Sequence, residues 1–144
     1  STGLLDSSFG GFPTPAPAGT TYVPRINGNN NQCNALALQP DGAILLAGKV
    51  NDKFGLARLL SDGQLDTTFG GFPAAAPVGA TYLTPAIQPG GTDRAYGVLV
   101  CSDGKIVLGG QAGGGTAYFG LAAFTNNYTL ATYQDQYPNQ SGFY

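Results

Sequence analysis

Two stretches of the chain have short apolar runs on either side of an Asp-Gly pair. Residues 34–48 read NALALQPDGAILLAG, and residues 96–110 read YGVLVCSDGKIVLGG. This pattern predicts two β-hairpins, because Asp tolerates the turn and Gly supplies a residue with positive φ. The predicted turn residues are Asp41, Gly42, Asp103 and Gly104. Alternation along the strands predicts one buried face, with eight expected core residues: Leu36, Leu38, Ile44, Leu46, Val98, Val100, Ile106 and Leu108.

Each hairpin is followed by a further apolar run that begins with Phe-Gly-Leu-Ala. Residues 54–60 read FGLARLL and residues 119–125 read FGLAAFT, and seven residues between turns favour a strand over a helix. A shorter run that ends at Tyr22 or Tyr82 precedes each hairpin. We therefore expect each unit to be an antiparallel meander of four strands, in the order Tyr run, hairpin, Phe run. Four strands in about 60 residues is the size of a propeller blade or a β-solenoid module.

A recurring motif separates these units and shows that the chain is a tandem repeat. Residues 5–13 read LDSSFGGFP, residues 65–73 read LDTTFGGFP, and residues 130–138 read LATYQDQYP as a degraded third copy. The motif residues are Leu5, Asp6, Phe9, Gly10, Leu65, Asp66, Phe69 and Gly70, and Arg58 lies where it can pair with Asp66 or Asp6. Units of this period usually cannot bury their apolar face alone.

The repeats define one β-repeat domain over residues 1–144. Repeat 1 spans about 4–64, repeat 2 spans about 65–129, and the third motif copy with an aromatic tail occupies 130–144. The chain starts within a unit, which fits a mature or excised fragment. Aromatic residues concentrate in the tail as Tyr133, Tyr137, Phe143 and Tyr144.

Composition supports the all-β class and narrows the partners. Glu and Met are absent while Gly, Thr and Asn are abundant, which disfavours helices. A net charge of −2 with 10% charged residues gives no basic field for nucleic acid or for an anionic membrane surface. The chain also lacks a run of about 20 apolar residues, so we expect no membrane insertion. Low charge with many Gly, Asn and Thr residues favours an extracellular or cell-surface location.

The sequence contains little catalytic chemistry. Histidine is absent, which removes the commonest general base and metal ligand. The chain has no phosphate loop, dinucleotide fingerprint or zinc-binding spacing, so we expect no enzyme activity, no catalytic residue and no cofactor. A structural calcium ion held by Asp6, Asp41 or Asp66 is the less favoured option, because a dense Asp-x-Asp loop is missing.

Two further features leave alternatives open. Cys33 and Cys101 occupy non-equivalent repeat positions, with neither a CxxC spacing nor a dense cysteine framework. This favours two small buried thiols, with a disulfide within or between subunits as the alternative. Asn127 and Asn139 lie in Asn-x-Ser/Thr patterns that matter only in a glycosylating source.

The first repeat resembles the delta-60 repeat, a family of tandem units in large bacterial surface or secreted proteins. The matching strings are ALALQPDGAILLAG at 35–48 and FGLARLLSDGQLDTTFGG at 54–71. The second repeat matches less well, because Ala123 replaces the arginine and Asn127, Tyr128, Ala131 and Gln134 replace other motif residues. The resemblance implies β-propeller-like blades. It implies no activity, because the family supplies no catalytic signature.

Two blades cannot close a propeller, and an open pair leaves strand edges and apolar faces in water. We therefore expect a homo-oligomer in which subunits associate head to tail through the aromatic tail, giving a ring or a filament. The predicted function is a structural subunit of an extracellular filament or surface assembly. The alternative is an extracellular binding or adhesion module that holds a glycan or protein on loops 27–32 and 111–116.

Overall fold

The strands in the described part of the chain form two antiparallel β-sheets. The computed structural model describes residues 3–25, 30–70, 79–83, 86–87 and 89–125. Sheet 1 contains, in spatial order, β1 (Gln32–Leu38), β2 (Ile44–Val50), β3 (Lys53–Leu59) and β4 (Ala80–Tyr82). Sheet 2 contains β5 (Arg94–Val100), β6 (Ile106–Ala112) and β7 (Tyr118–Phe124) in that order. These ranges contain no helix, and hence no helix able to cross a membrane, so the all-β antiparallel class is confirmed.

The Asp-Gly turns join β1 to β2 and β5 to β6. Gly42 and Gly104 have φ of 84° and 82°, a region that residues with a Cβ rarely adopt. Their amides donate to the carbonyls of Gln39 and Cys101, each at 2.9 Å. The carboxylates of the two turn aspartates accept hydrogen bonds from the backbone two residues later, at 3.0 and 3.1 Å. Local turn chemistry therefore accounts for both hairpins.

The fourth strand of sheet 1 comes from the second repeat. Ala80, Thr81 and Tyr82 pair with Ala57, Leu56 and Gly55 of β3. We predicted that the Tyr run would belong to the hairpin that follows it in the chain, and for Tyr82 this was wrong. The motif at 65–70 turns the chain back, because the amide of Asp66 donates to the Arg58 carbonyl (3.0 Å) and the amide of Gly79 donates to the Phe69 carbonyl (2.6 Å).

The hydrophobic core lies between the two sheets. One side of sheet 1 packs against one side of sheet 2, and the motif residue Phe69 joins the same cluster. Its buried members are Leu45, Ala47, Phe54, Leu56, Phe69, Ala95, Ile106 and Leu108. Val98 and Val100 pack against this cluster and are partly buried. A second, smaller cluster of Val50, Ala57, Ala80 and Tyr82 secures β4.

Only the half of the predicted core that lies in sheet 2 is correct. Ile106 and Leu108 are fully buried, whereas Leu36 and Leu38 are both 66% exposed and their neighbours Ile44 and Leu46 are only partly covered. The predicted residues of sheet 1 do share one side of the sheet, but sheet 1 buries the opposite side. Both sides of this sheet carry apolar residues, so the position of sheet 2 decides which side is covered.

The two cysteines are free thiols. Cys33 is exposed and Cys101 is half-buried, so the prediction of two buried thiols was wrong for Cys33. Cys33 lies in β1, where the pairing with β2 shifts register between Cys33 and Ala35. Such a local irregularity turns strand residues away from a regular alternation.

Candidate functional site

The two outer sides of the sheet pair are the candidate functional surfaces among the described residues. The leading face is the side of sheet 1 that points away from sheet 2, with Leu36, Leu38, Ile44 and Leu46. The trailing face is the side of sheet 2 that points away from sheet 1, with Leu99, Val107, Phe119 and Leu121. Each face presents large apolar side chains to solvent. Exposed apolar patches of this kind usually mark interaction sites.

The trailing face repeats a surface that is buried elsewhere in the same chain. Its Phe119 and Leu121 occupy the repeat positions of Phe54 and Leu56, and Val107 occupies that of Leu45. Phe54 and Leu56 are 0% and 1% exposed because sheet 2 covers them. Phe119, in contrast, is fully exposed and Leu121 is 74% exposed.

The leading face shows the converse relation. Its Ile44 and Leu46 occupy the repeat positions of Ile106 and Leu108, which are fully buried against sheet 1. In the interface between the sheets, sheet 1 contributes the side that is equivalent to the trailing face, and sheet 2 contributes the side that is equivalent to the leading face. The two outer faces are the same pair of surfaces without a second sheet over them among the described residues. The leading face is covered in part, because Val23 packs against Val50, Ala57, Ala80 and Tyr82 beside Leu46.

The repeat motif forms a polar network next to the core. Arg58 Nε donates to Asp66 Oδ2 at 2.6 Å, and Arg58 Nη2 lies 2.5 Å from the same oxygen in an ion pair. Asp66 Oδ1 accepts from Thr68 N at 2.9 Å and from Thr68 Oγ1 at 2.6 Å. The guanidinium carbon of Arg58 also lies 5.2 Å from the centroid of the Phe69 ring, a cation–π contact. The network ties β3 to the motif that leads into β4.

Burial alone would raise the pKa of Asp66. The hydrogen bonds from Thr68 and the bonds and charge of Arg58 outweigh this effect, and the pKa lies below its ordinary value of 3.8. The carboxylate is therefore ionised at neutral pH and serves as a structural ion-pair partner.

The first motif copy has the same local turn in a different setting. Asp6 is exposed and accepts hydrogen bonds from Ser8 Oγ (2.6 Å) and Ser8 N (2.9 Å), which lower its pKa. Phe9 packs its ring on Gly63, where a Cβ would lie 2.7 Å from Phe9 Cζ. Gln64 Nε2 also donates to the carbonyl of Gly10 at 2.6 Å. These contacts hold the first motif against the turn that precedes the second.

One buried carboxylate was missed by sequence reasoning. Asp93 is fully buried and accepts hydrogen bonds from Ile87 N (2.8 Å) and Gly113 N (3.0 Å). These bonds fix the start of the loop after β6 at Gly113 and the backbone at Ile87, so the role of Asp93 is to position connections between strands. A lone Asp in a Gly-rich connection gave no sequence signal that it would be buried.

The described residues contain no group of three or more His, Cys, Asp or Glu side chains able to hold a metal ion. Asp41 and Asp66, two of the residues considered as calcium ligands, accept hydrogen bonds within their own turns. The predicted interface residues Tyr133, Tyr137, Phe143 and Tyr144 lie outside the described residues, as do Asn127 and Asn139.

Comparison with known families finds a match over the centre of the first repeat. A family model described as a domain of unknown function (DUF5122) beta-propeller matches residues 39–69, which include β2, β3 and the second motif through Phe69. Comparisons with curated proteins and with solved structures find no match. The chain is thus similar to a propeller-like repeat family, and its two sheets have the sequential antiparallel strand order of propeller blades.

Proposed function

We propose that this chain is a non-enzymatic structural subunit that assembles head to tail. The leading face of one copy packs on the trailing face of the next, and the assembly is an extracellular filament or surface structure. The resemblance to the delta-60 repeat supports the surface location. One observation carries the assembly: Phe119 and Leu121 are exposed at the repeat positions where Phe54 and Leu56 are buried.

The energetic argument follows from the apolar area of the two faces. Covering a side chain the size of Phe119 or Leu121 contributes about 1.5–3 kcal/mol. The contact between the two sheets of one chain supports this fit, because there sheet 2 packs its side with Ile106 and Leu108 on Phe54 and Leu56, the repeat equivalents of Phe119 and Leu121. A contact between two different faces is heterologous, so it leaves one face of each kind open and continues into a ring or filament.

The first experiment places a charge on each face. Phe119→Asp blocks the trailing face and Leu36→Asp blocks the leading face, while Thr116→Asp in the exposed loop after β6 is the matched control. We expect the natural chain and Thr116→Asp to assemble with rising concentration in sedimentation velocity and in negative-stain images. Each face variant alone should remain monomeric.

Mixing the two blocked variants tests the head-to-tail order. One free leading face meets one free trailing face, so the mixture should contain one-to-one dimers and nothing larger. Larger assemblies in this mixture would contradict a heterologous contact. A natural chain that remains monomeric at high concentration would overturn the proposal and favour a binding module instead.

A further inference from the structure

We propose that residues 19–23 of one copy add to sheet 2 of another copy as its fourth strand, along the outer edge of β7. This inference rests on the proposed head-to-tail assembly and names the backbone contact that would secure it. Sheet 1 has four strands and sheet 2 has three in the described part of the chain. Among the described residues, sheet 2 has no strand at the position that β4 occupies in sheet 1.

The pairing of β4 with β3 supplies the pattern for this contact. The amide of Arg58 donates to the carbonyl of Gly79 at 3.0 Å, and the amide of Leu83 donates to the carbonyl of Phe54 at 2.8 Å. β7 is the repeat equivalent of β3 and pairs only with β6 among the described strands. Its outer backbone groups are therefore a strand edge that another strand can extend.

Residues 19–23, which precede sheet 1, have local backbone features in common with residues 79–83, which precede sheet 2. Gly19 and Gly79 have φ of 83° and 85°, and their amides donate to the carbonyls of Phe9 and Phe69 at 2.7 and 2.6 Å. A Cβ on Gly10 would overlap the Thr20 carbonyl oxygen, and a Cβ on Gly70 would overlap the Ala80 carbonyl oxygen in the same way. Residues 19–23 therefore leave the first motif with the same local backbone contacts with which β4 leaves the second.

One side of this segment bonds to its own chain and the other side is open. Gly11 N donates to Thr20 O at 2.7 Å, and Tyr22 N donates to Phe12 O at 3.2 Å. On the opposite side, the backbone groups of Thr21 and the amide of Val23 make no backbone hydrogen bond to any described residue. These are the equivalents of the groups by which β4 faces β3. Among the described residues, this segment and β7 thus each have a backbone edge that pairs with no other strand.

A second copy provides a better partner for β7 than the third motif of the same chain. Residues 130–138 carry Ala131 and Gln134 at the positions of Asp66 and Phe69, whereas residues 5–13 keep both the Asp and the Phe. Within one chain, sheet 2 packs on sheet 1, and β4, which precedes sheet 2 in the sequence, adds to the edge of sheet 1. When two copies pack and pair in this way, Ala122 of one copy pairs with Thr20 of the other, Leu121 with Thr21 and Gly120 with Tyr22.

Cysteine cross-linking between different molecules tests this register. Cys33 and Cys101 are first replaced by Ser, and a chain with Ala122→Cys is then mixed with a chain with Thr20→Cys. The equivalent internal pair, Ala57 with Ala80, lies between hydrogen-bonded pairs, where side chains of opposite strands come closest. Mild oxidation should therefore give a disulfide-linked dimer on a non-reducing gel.

The matched control is Thr21→Cys, whose side chain projects from the other side of the strand. Its dimer with Ala122→Cys should form on the order of tenfold more slowly, because Cβ atoms that point apart cannot form a disulfide without backbone movement. Ala57→Cys with Ala80→Cys in one chain is the positive control and should give an intramolecular disulfide.

The outcomes separate the two proposals. A fast Ala122–Thr20 cross-link, with assembly seen by sedimentation velocity, supports strand addition. Assembly without this cross-link overturns strand addition and leaves the stacking of faces in place. Equal rates for the Thr20 and Thr21 variants overturn the register. The absence of both assembly and cross-link overturns the strand addition together with the proposed function.

Discussion

Phe54 and Phe119 occupy the same position in two repeats and have opposite environments. Phe54 is fully buried between the sheets, whereas Phe119 is fully exposed on the trailing face. Both follow a hairpin and begin the run Phe-Gly-Leu-Ala, so their own repeats do not explain the difference. The difference arises because a second sheet lies over the first and no described residue covers the second in the same way. Within this chain, the neighbouring repeat completes sheet 1 by covering one of its sides and adding β4 to its edge.

Truncating each phenylalanine should separate the two environments most strongly. Phe54→Ala should lower the free energy of unfolding by about 3–5 kcal/mol, because it leaves a cavity in the core. Phe119→Ala should change it by no more than about 0.5 kcal/mol in dilute monomer, because an exposed side chain loses few contacts on truncation. Urea denaturation at a concentration below assembly measures both. Equal losses would mean that Phe119 is covered within its own chain.

The two motif aspartates provide the next contrast. Asp66→Ala should lower the free energy of unfolding by about 3 kcal/mol, because it leaves the buried Arg58 guanidinium without its carboxylate. Asp6→Ala removes only the exposed hydrogen bonds to Ser8 and should cost clearly less. Urea denaturation of the two variants side by side checks this difference. A larger loss for Asp6 would show that its environment is not the one described.

The lowered pKa of Asp66 predicts an acid-dependent loss of stability. A carboxylate whose pKa is lower in the folded than in the unfolded state contributes its full stabilisation above the unfolded value of 3.8. That contribution declines as the pH falls below 3.8 toward the folded pKa. Urea titrations at about pH 5 and pH 3 should show a smaller acid-induced loss in Asp66→Asn than in the natural chain. An identical loss would assign the acid sensitivity to other groups.

The smallest expected effect is a gain in the affinity between copies of the chain. Ala123 occupies the repeat position of Arg58, and strand addition would bring Asp6 of the next copy to it as Asp66 comes to Arg58. Ala123→Arg should therefore tighten association by about two- to five-fold, the scale of an exposed ion pair. Sedimentation velocity at low salt measures the change. Adding Asp6→Asn should abolish the gain, and a gain that persists would mean that the introduced guanidinium contacts something else.

The local structure of this protein follows from short stretches of its sequence. Asp-Gly between apolar runs specified the hairpins, because turn geometry depends on a few adjacent residues. In the motif at 65–70, Asp66 lies only eight residues after Arg58 in the sequence. A single turn between them is therefore enough to bring the observed ion pair together. The repeat itself was visible as two nearly identical strings. These features need no knowledge of distant parts of the chain.

Tertiary packing, in contrast, selects the buried faces and the pairing of the Tyr82 strand. Leu36 and Leu45 lie on opposite sides of one sheet, and both sides are apolar, so alternation cannot choose between them. The choice depends on where sheet 2 packs, which is a contact between residues far apart in sequence. The same is true of β4, which leaves its own repeat to complete the preceding sheet. Local patterns specify strands and turns, whereas the burial of a two-sided apolar sheet is set by its neighbours.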